Sequence, residues 1–237
     1  MIVDDIPVAR RSKPPKRPQS GLSVLIRLSS LGLLLSLLAL ALIFPGPLRR
    51  LLAAPPVAGI AARPGLDGRL LGHFPYPELN RAELVTVAPG QQLQRDAADA
   101  LLAMQNAALA DGVNLVVLSG FRSLAEQKAL FFDVKAERNQ SASERAKVSA
   151  PPGYSEHSTG YAVDLGDAAA PGSNLSQDFE TTAAFAWLRQ NARKYQFTIS
   201  FTKGNAQGVN YEPWHWRFEG TAKALRMFEP ADRLQRQ

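Results

Sequence analysis

Residues 28–44 carry no charged side chain. An apolar run of about seventeen residues is at the short end of what crosses a bilayer as a helix. Arg27 can snorkel to the interface, which lets the helix begin at Leu22. A cleaved signal peptide has a shorter apolar core followed by small residues at its cleavage site. Ala53-Ala54 fits that site poorly, so an uncleaved anchor over residues 22–44 is the expectation. Arg10, Arg11, Lys13, Lys16, Arg17 and Arg27 precede the run, and only Arg49 and Arg50 follow it closely. The excess of positive charge on the N-terminal side puts that end in the cytoplasm and the rest of the chain outside, as a single-pass membrane protein with a periplasmic or extracellular domain. Four parts follow: a basic, proline-broken tail over 1–21, the anchor over 22–44, a Pro/Ala-rich tether over 45–64 and a folded domain over 65–237.

Charge narrows the partners. The formal net charge is +6. The eight basic residues just named, against Asp4 and Asp5, account for all of it, so the folded part is balanced. A phosphate-binding face needs clustered Lys and Arg in the fold itself, and nucleic acid is therefore not an expected partner. The chain has no cysteine, which excludes disulfides and thiolate ligands; any bound metal must be held by histidine and carboxylate.

In the folded part, Leu93, Ala97, Ala100, Leu101, Met104 and Ala108 recur at helical spacing and predict a helix over 91–111, ended by Gly112. A valine-rich run predicts a buried strand over 113–118. Ser123 with Glu126 forms a capping box and starts a helix over 124–138, with Leu130, Phe131 and Val134 facing inward. Residues 139–153 read as a loop or broken helix bordering a site. Strands are expected over 159–165, 197–201 and 214–218, and helices over 179–195 and 221–228. The fold class is α+β, a small, mostly antiparallel sheet with helices packed against it, plus the N-terminal transmembrane helix. Nothing in the sequence points to assembly, and a monomer is expected.

The chain has three histidines. His73 sits among proline and aromatic residues and reads as a packed or solvated side chain. His157 and Asp164 lie in SEHSTGYAVDL, and His215 in EPWHWRF. Two imidazoles and one carboxylate suit a catalytic zinc whose fourth position is left to water. Residues an odd distance apart on one strand point to opposite faces, so His157 must sit in a turn before the strand and curl back toward Asp164. Glu212 precedes His215 by three residues, and Pro213 blocks a helix between them; Glu212 then stands beside the site as a general base. Arg122 follows a buried strand and is placed to clamp a carboxylate or steady an oxyanion. Trp214 and Trp216 flank His215; one is expected to wall the pocket and the other to pack in the core.

These two motifs, together with SGFRSLAEQ over 119–127, resemble the zinc-site and substrate-binding motifs of the VanY-type D-alanyl-D-alanine carboxypeptidases. The resemblance covers about residues 79–228. It implies a zinc peptidase with His157, Asp164 and His215 as ligands, Glu212 and Arg122 as catalytic groups, and Ser119, Gln127, Ser155 and Trp214 toward substrate. The implied substrate is the peptidoglycan stem peptide, trimmed of its terminal D-alanine. An endopeptidase or lysin of the same fold and a non-catalytic wall-binding module are the alternatives. Ser158 stands where many members have glutamine, and Tyr161 where they often have leucine; both departures bear on substrate preference rather than on the metal chemistry.

Overall fold

The computed structural model describes residues 57–236. The basic tail, the expected membrane anchor and most of the tether lie outside them. Among the described residues no helix is long and apolar enough to cross a membrane.

The first two strands form a hairpin that the sequence reading did not anticipate. Strand β1 (Leu84–Ala88) pairs antiparallel with β2 (Gln91–Gln94), with Val85 opposite Leu93. Gly90, at φ 72°, makes the turn after Pro89. Helix α1 therefore runs only over Arg95–Ala110, not from residue 91. Gln94 stays extended, and its side-chain carbonyl accepts from the amides of Asp96 and Ala97, so the helix is capped there. The predicted apolar stripe is real: Leu93, Ala97, Leu101, Met104 and Ala108 are buried.

The central sheet has four strands, β3 (Leu115–Ser119), β4 (Ala162–Asp167), β5 (Phe197–Ile199) and β6 (His215–Phe218), in the antiparallel order β3-β4-β6-β5. Helix α2 (Leu124–Glu137) starts where the capping box placed it, with Ser123 and Glu126 bonded reciprocally. Of its expected inward residues Phe131 is fully buried, Leu130 and Val134 half so. A short helix α3 (Ala142–Ala146), α4 (Ala183–Asn191) and α5 (Ala222–Gln235) complete the domain. The helix expected over 179–195 is α4 alone, flanked by tight turns at Gln177–Thr181 and Ala192–Tyr195. Thr182 explains the late start: it is extended and caps Phe185 through its hydroxyl. Helix α5 runs past Phe228 and through Pro230, because Ala231 is buried in the core and Asp232 pairs with Arg217.

Alternation along the strands sorts two faces. Val163 and Leu165 of β4, with Trp216 and Phe218 of β6, enter the main core beside Leu101, Met104, Leu188 and Phe228. Asp164, His215 and Arg217 take the other face, and they too are buried. A second, smaller apolar cluster of Ile60, Leu70, Phe131, Ala146 and Tyr154 lies under α2 and α3.

Candidate metal centre and active site

The register of the sheet brings the site together. Asp164 of β4 is directly opposite His215, the first residue of β6. His157 arrives from a tight turn at Glu156–Thr159 that ends on Gly160, at φ 70°. A side chain at Gly160 would be strained there and would meet Leu79 Cδ2 at 2.8 Å. The turn before the strand is thus what the odd separation of His157 and Asp164 required.

His157 Nε2 is 3.3 Å from Asp164 Oδ2, and His215 Nδ1 is 3.1 Å from Asp164 Oδ1. One ligand atom from each of the three lies within 4.8 Å of the others. The outer nitrogens fix the tautomers. Nδ1 of His157 lies 2.7 Å from the Gly120 carbonyl, which can only accept, so its proton is held there and Nε2 is free as a donor to metal. Nε2 of His215 lies 2.9 Å from Glu156 Oε2, which leaves its Nδ1 facing Asp164. With a metal in place of the inner proton, both imidazoles could turn a lone pair to one point beside a carboxylate, and each is oriented from behind as a metal-bound histidine requires. The donor set fits zinc: two nitrogens, one oxygen and no thiolate.

Electrostatics agree. Burial alone would push the Asp164 and Glu156 carboxyls up, but their histidine partners and, for Glu156, the Arg217 charge outweigh it and hold both well below the usual carboxylate range. Burial pulls His157 down, toward the neutral form a ligand needs. Burial also opposes charge on His215, yet its bonds to Asp164 and Glu156 raise it to about 10. Two carboxylates flanking one ring thus call for a positive charge between them, and a metal ion on Nδ1 would take the place of that proton.

Glu156 is the functional residue that the sequence reading passed over. It is buried, and both its oxygens are engaged: Oε2 by His215 and by the Ser200 hydroxyl at 2.5 Å, Oε1 by Arg217 Nη1 at 3.0 Å and Tyr76 at 3.4 Å. The signal was present in EPWHWRF. Arg217 lies two residues beyond His215 on one strand, hence on the same face, and a buried guanidinium there demands a carboxylate.

Glu212 stands beside this cluster, its Oε2 4.0 Å from His215 Nδ1. Burial, with Asp164 and Glu156 nearby, raises its carboxyl to about 8. Burial works against the charge on Arg122 and outweighs the nearby Asp164 and Glu212 carboxylates, which favour it. Its guanidinium is fixed by Nη1 donating to Gln127 Oε1 and Nη2 to Ser119 Oγ, both at 2.9 Å. Gln127 is fully buried and donates on to the Ala150 carbonyl at 2.6 Å. Ser119 and Gln127 were expected to touch substrate; the structure puts them behind Arg122, outside the lining of the cavity.

That cavity, of about 470 Å³, is lined by His157, Asp164, His215, Glu212 and Arg122, and also by Ser155 and Trp214. Trp216 packs in the core, with its indole donating to the Pro213 carbonyl at 3.0 Å. His73 is buried on the cavity wall, and its Nε2 lies 2.7 Å from the Ala146 carbonyl. It is thus a packed histidine outside the ligand cluster.

Residues 90–221 match the VanY family, described as D-alanyl-D-alanine carboxypeptidase, and the chain belongs to that family. It is 38% identical to YodJ of Bacillus subtilis over 147 residues, covering 59% of this chain and 50% of that protein. It is 30% identical over 140 residues to a D-alanyl-D-alanine carboxypeptidase of Enterococcus faecium, covering 58% of this chain and 41% of the other. The chain thus spans about half the length of these curated relatives. Among solved structures it is similar to the LdcB LD-carboxypeptidase, with 32% identity and a TM-score of 0.52 over 68% of this chain and 74% of that one. VanYB in complex with D-alanine-D-alanine is 27% identical, with a TM-score of 0.53 over 66% and 87% of the two chains.

Proposed function

We propose that this protein is a zinc peptidase, anchored in the membrane by residues 22–44, that trims the terminal D-alanine from peptidoglycan stem peptides. The observation that carries the reading is the convergence of His157, Asp164 and His215 beside Glu212 in one lined cavity. When bound, zinc supplies Lewis-acid polarisation of the scissile carbonyl and lowers the pKa of the attacking water. His157, Asp164 and His215 would hold it, and Gly120 and Glu156 keep the two rings aimed. Glu212 removes the proton from the water as its oxygen bonds to the carbonyl carbon, then delivers that proton to the amine nitrogen as the C–N bond breaks. Arg122, locked by Ser119 and Gln127, meets the negative charge next to the reacting centre, either the terminal carboxylate or the developing oxyanion. Ser155 and Trp214 shape the pocket around the peptide.

Glu212 speaks against a wall-binding module, because a purely structural metal needs no base beside it. The family resemblance supports carboxypeptidase action over endopeptidase action, and the tether suits a fixed enzyme rather than a diffusing lysin. The relatives include both an LD-carboxypeptidase and a protein bound to D-alanine-D-alanine, so the length of the accepted stem is the point to measure. The test is mass spectrometry of soluble wall fragments incubated with the zinc-loaded protein. Loss of one alanine from pentapeptide stems supports the D,D-reading, and loss only from tetrapeptide stems supports the L,D-reading. Cleavage of cross-linked dimers marks an endopeptidase. Unchanged fragments overturn the peptidase assignment.

A further inference from the structure

The part of the cavity formed by the ends of α2 and α3 carries charge that the proposed reaction does not use. Arg138 caps the C-terminus of α2, Arg145 lies on α3, and both line the same cavity as Arg122 and the metal ligands. Arg145 is only 6% exposed. Among the described residues its guanidinium makes one hydrogen bond, from Nη2 to the Leu130 carbonyl at 3.3 Å, while its buried Nε has no partner. Neither Arg138 nor Arg145 takes part in an ion pair among the described residues.

This arrangement is costly as it stands. A buried charge is tolerated when it is paired, and one neutral carbonyl is a poor substitute for a carboxylate. Arg217 shows the contrast within the same domain: equally buried, it has Glu156, Glu219 and Asp232 around it. For Arg145, burial works against its charge, and the nearby charges of Arg138 and Arg122 add to the effect. The acidic groups of the cavity, Asp164, Glu156 and Glu212, gather instead around His215. The cavity is therefore polar in the electrical sense, with a metal-binding acidic end and an arginine end that lacks an anion.

From this we infer that Arg138 and Arg145 form a second subsite that binds a carboxylate of the peptide substrate, in addition to whichever negative charge Arg122 serves. The inference rests on the proposed peptidase reading for the kind of ligand. A stem peptide offers two sources: the C-terminal carboxylate, and the free carboxylates of its acidic residues further up the chain. Either one would complete Arg145, and a guanidinium pair suits a planar anion held by parallel hydrogen bonds.

The experiment uses a synthetic stem pentapeptide in four forms: all carboxylates free, C-terminal amide, upstream carboxamides, and both. Equilibrium binding is measured by calorimetry on the zinc-loaded full chain carrying Glu212→Gln, and kcat/KM is measured on the parent enzyme. Amidation at the position the subsite reads should weaken binding about tenfold to a hundredfold, as loss of a charge-assisted hydrogen bond does. With Arg145→Gln or Arg138→Ala, the same amidation should change binding by less than about twofold. The position that responds identifies the source. Arg138 is exposed, so its variant keeps the test valid if Arg145→Gln melts early. The subsite is overturned if, at every position where amidation weakens binding to the parent, it weakens binding to Arg138→Ala by the same factor. Peptides shortened normally but without this pattern would sink the inference alone; the pattern in binding without any shortening would sink the peptidase reading and leave the subsite.

Discussion

Glu156→Gln is the substitution whose outcome the geometry constrains most. Each carboxylate oxygen of Glu156 accepts from donors: Oε1 from Arg217 and Tyr76, Oε2 from His215 and Ser200. Glutamine keeps the shape but has one acceptor oxygen and one NH2 group. Arg217 can only donate, so the oxygen must face it and the NH2 group must turn toward His215. The ring then answers by accepting at Nε2 and carrying its proton on Nδ1, where Asp164 Oδ1 at 3.1 Å receives it. Every hydrogen bond is satisfied, but in the tautomer that offers no lone pair to a metal. Removing such an outer partner typically costs 10–100-fold in metal affinity, or about 1.4–2.7 kcal/mol. Stability without metal should fall by less than the roughly 3–5 kcal/mol of a broken buried pair, because Arg217 keeps Glu219 and Asp232. Zinc affinity is read by competition with a chelator, and folding by thermal melting with and without zinc. Parent-like zinc affinity in a folded Glu156→Gln protein would refute the tautomer argument.

Four further outcomes are expected. Alanine at His157, Asp164 or His215 should remove zinc and activity together, since three protein ligands leave none to spare; stoichiometric zinc in purified His215→Ala would contradict the assignment. Glu212→Gln should retain zinc yet lose turnover by about 10²–10⁴-fold or more; zinc lost along with activity would make Glu212 a ligand instead. Arg122→Ala should keep zinc and lose about 10²–10³-fold in kcat. If discrimination between free and amidated C-termini goes with it, Arg122 serves the terminal carboxylate; if not, the oxyanion. Protease added to intact spheroplasts should degrade the folded domain; protection until lysis would reverse the orientation drawn from the N-terminal charge.

How much of this was legible in the sequence follows from how local each cause is. The cluster of His157, Asp164 and His215 was legible because two short motifs hold all three residues, and the odd spacing of His157 and Asp164 already called for a turn between them. Helix α2 was legible for the same reason: Ser123 and Glu126 are three residues apart and bond to each other. The hairpin was hidden by overlap. Leu93 fits both the alternation of β2 and the helical stripe of α1, and Gln94 is an unusual cap, so the helical period ran on through a strand. Glu156 was missed because its partners, Ser200, His215 and Arg217, are 44, 59 and 61 residues away. Gln127 carried a motif position, but only packing could show that it faces Arg122 rather than the peptide.

Arg217 bridges Glu156, which touches His215, to Asp232 near the end of α5. The last helix contributes nothing to the lining of the cavity, yet two ion pairs and the Glu156–His215 hydrogen bond connect it to that ring. A nick, a trimmed terminus or an appended tag that unravels residues 229–236 would therefore be felt at the histidine and not only in the core. Anyone preparing this protein for assay has a practical reason to place purification handles elsewhere, and a weakly active batch should be checked for a clipped C-terminal helix before its chemistry is doubted.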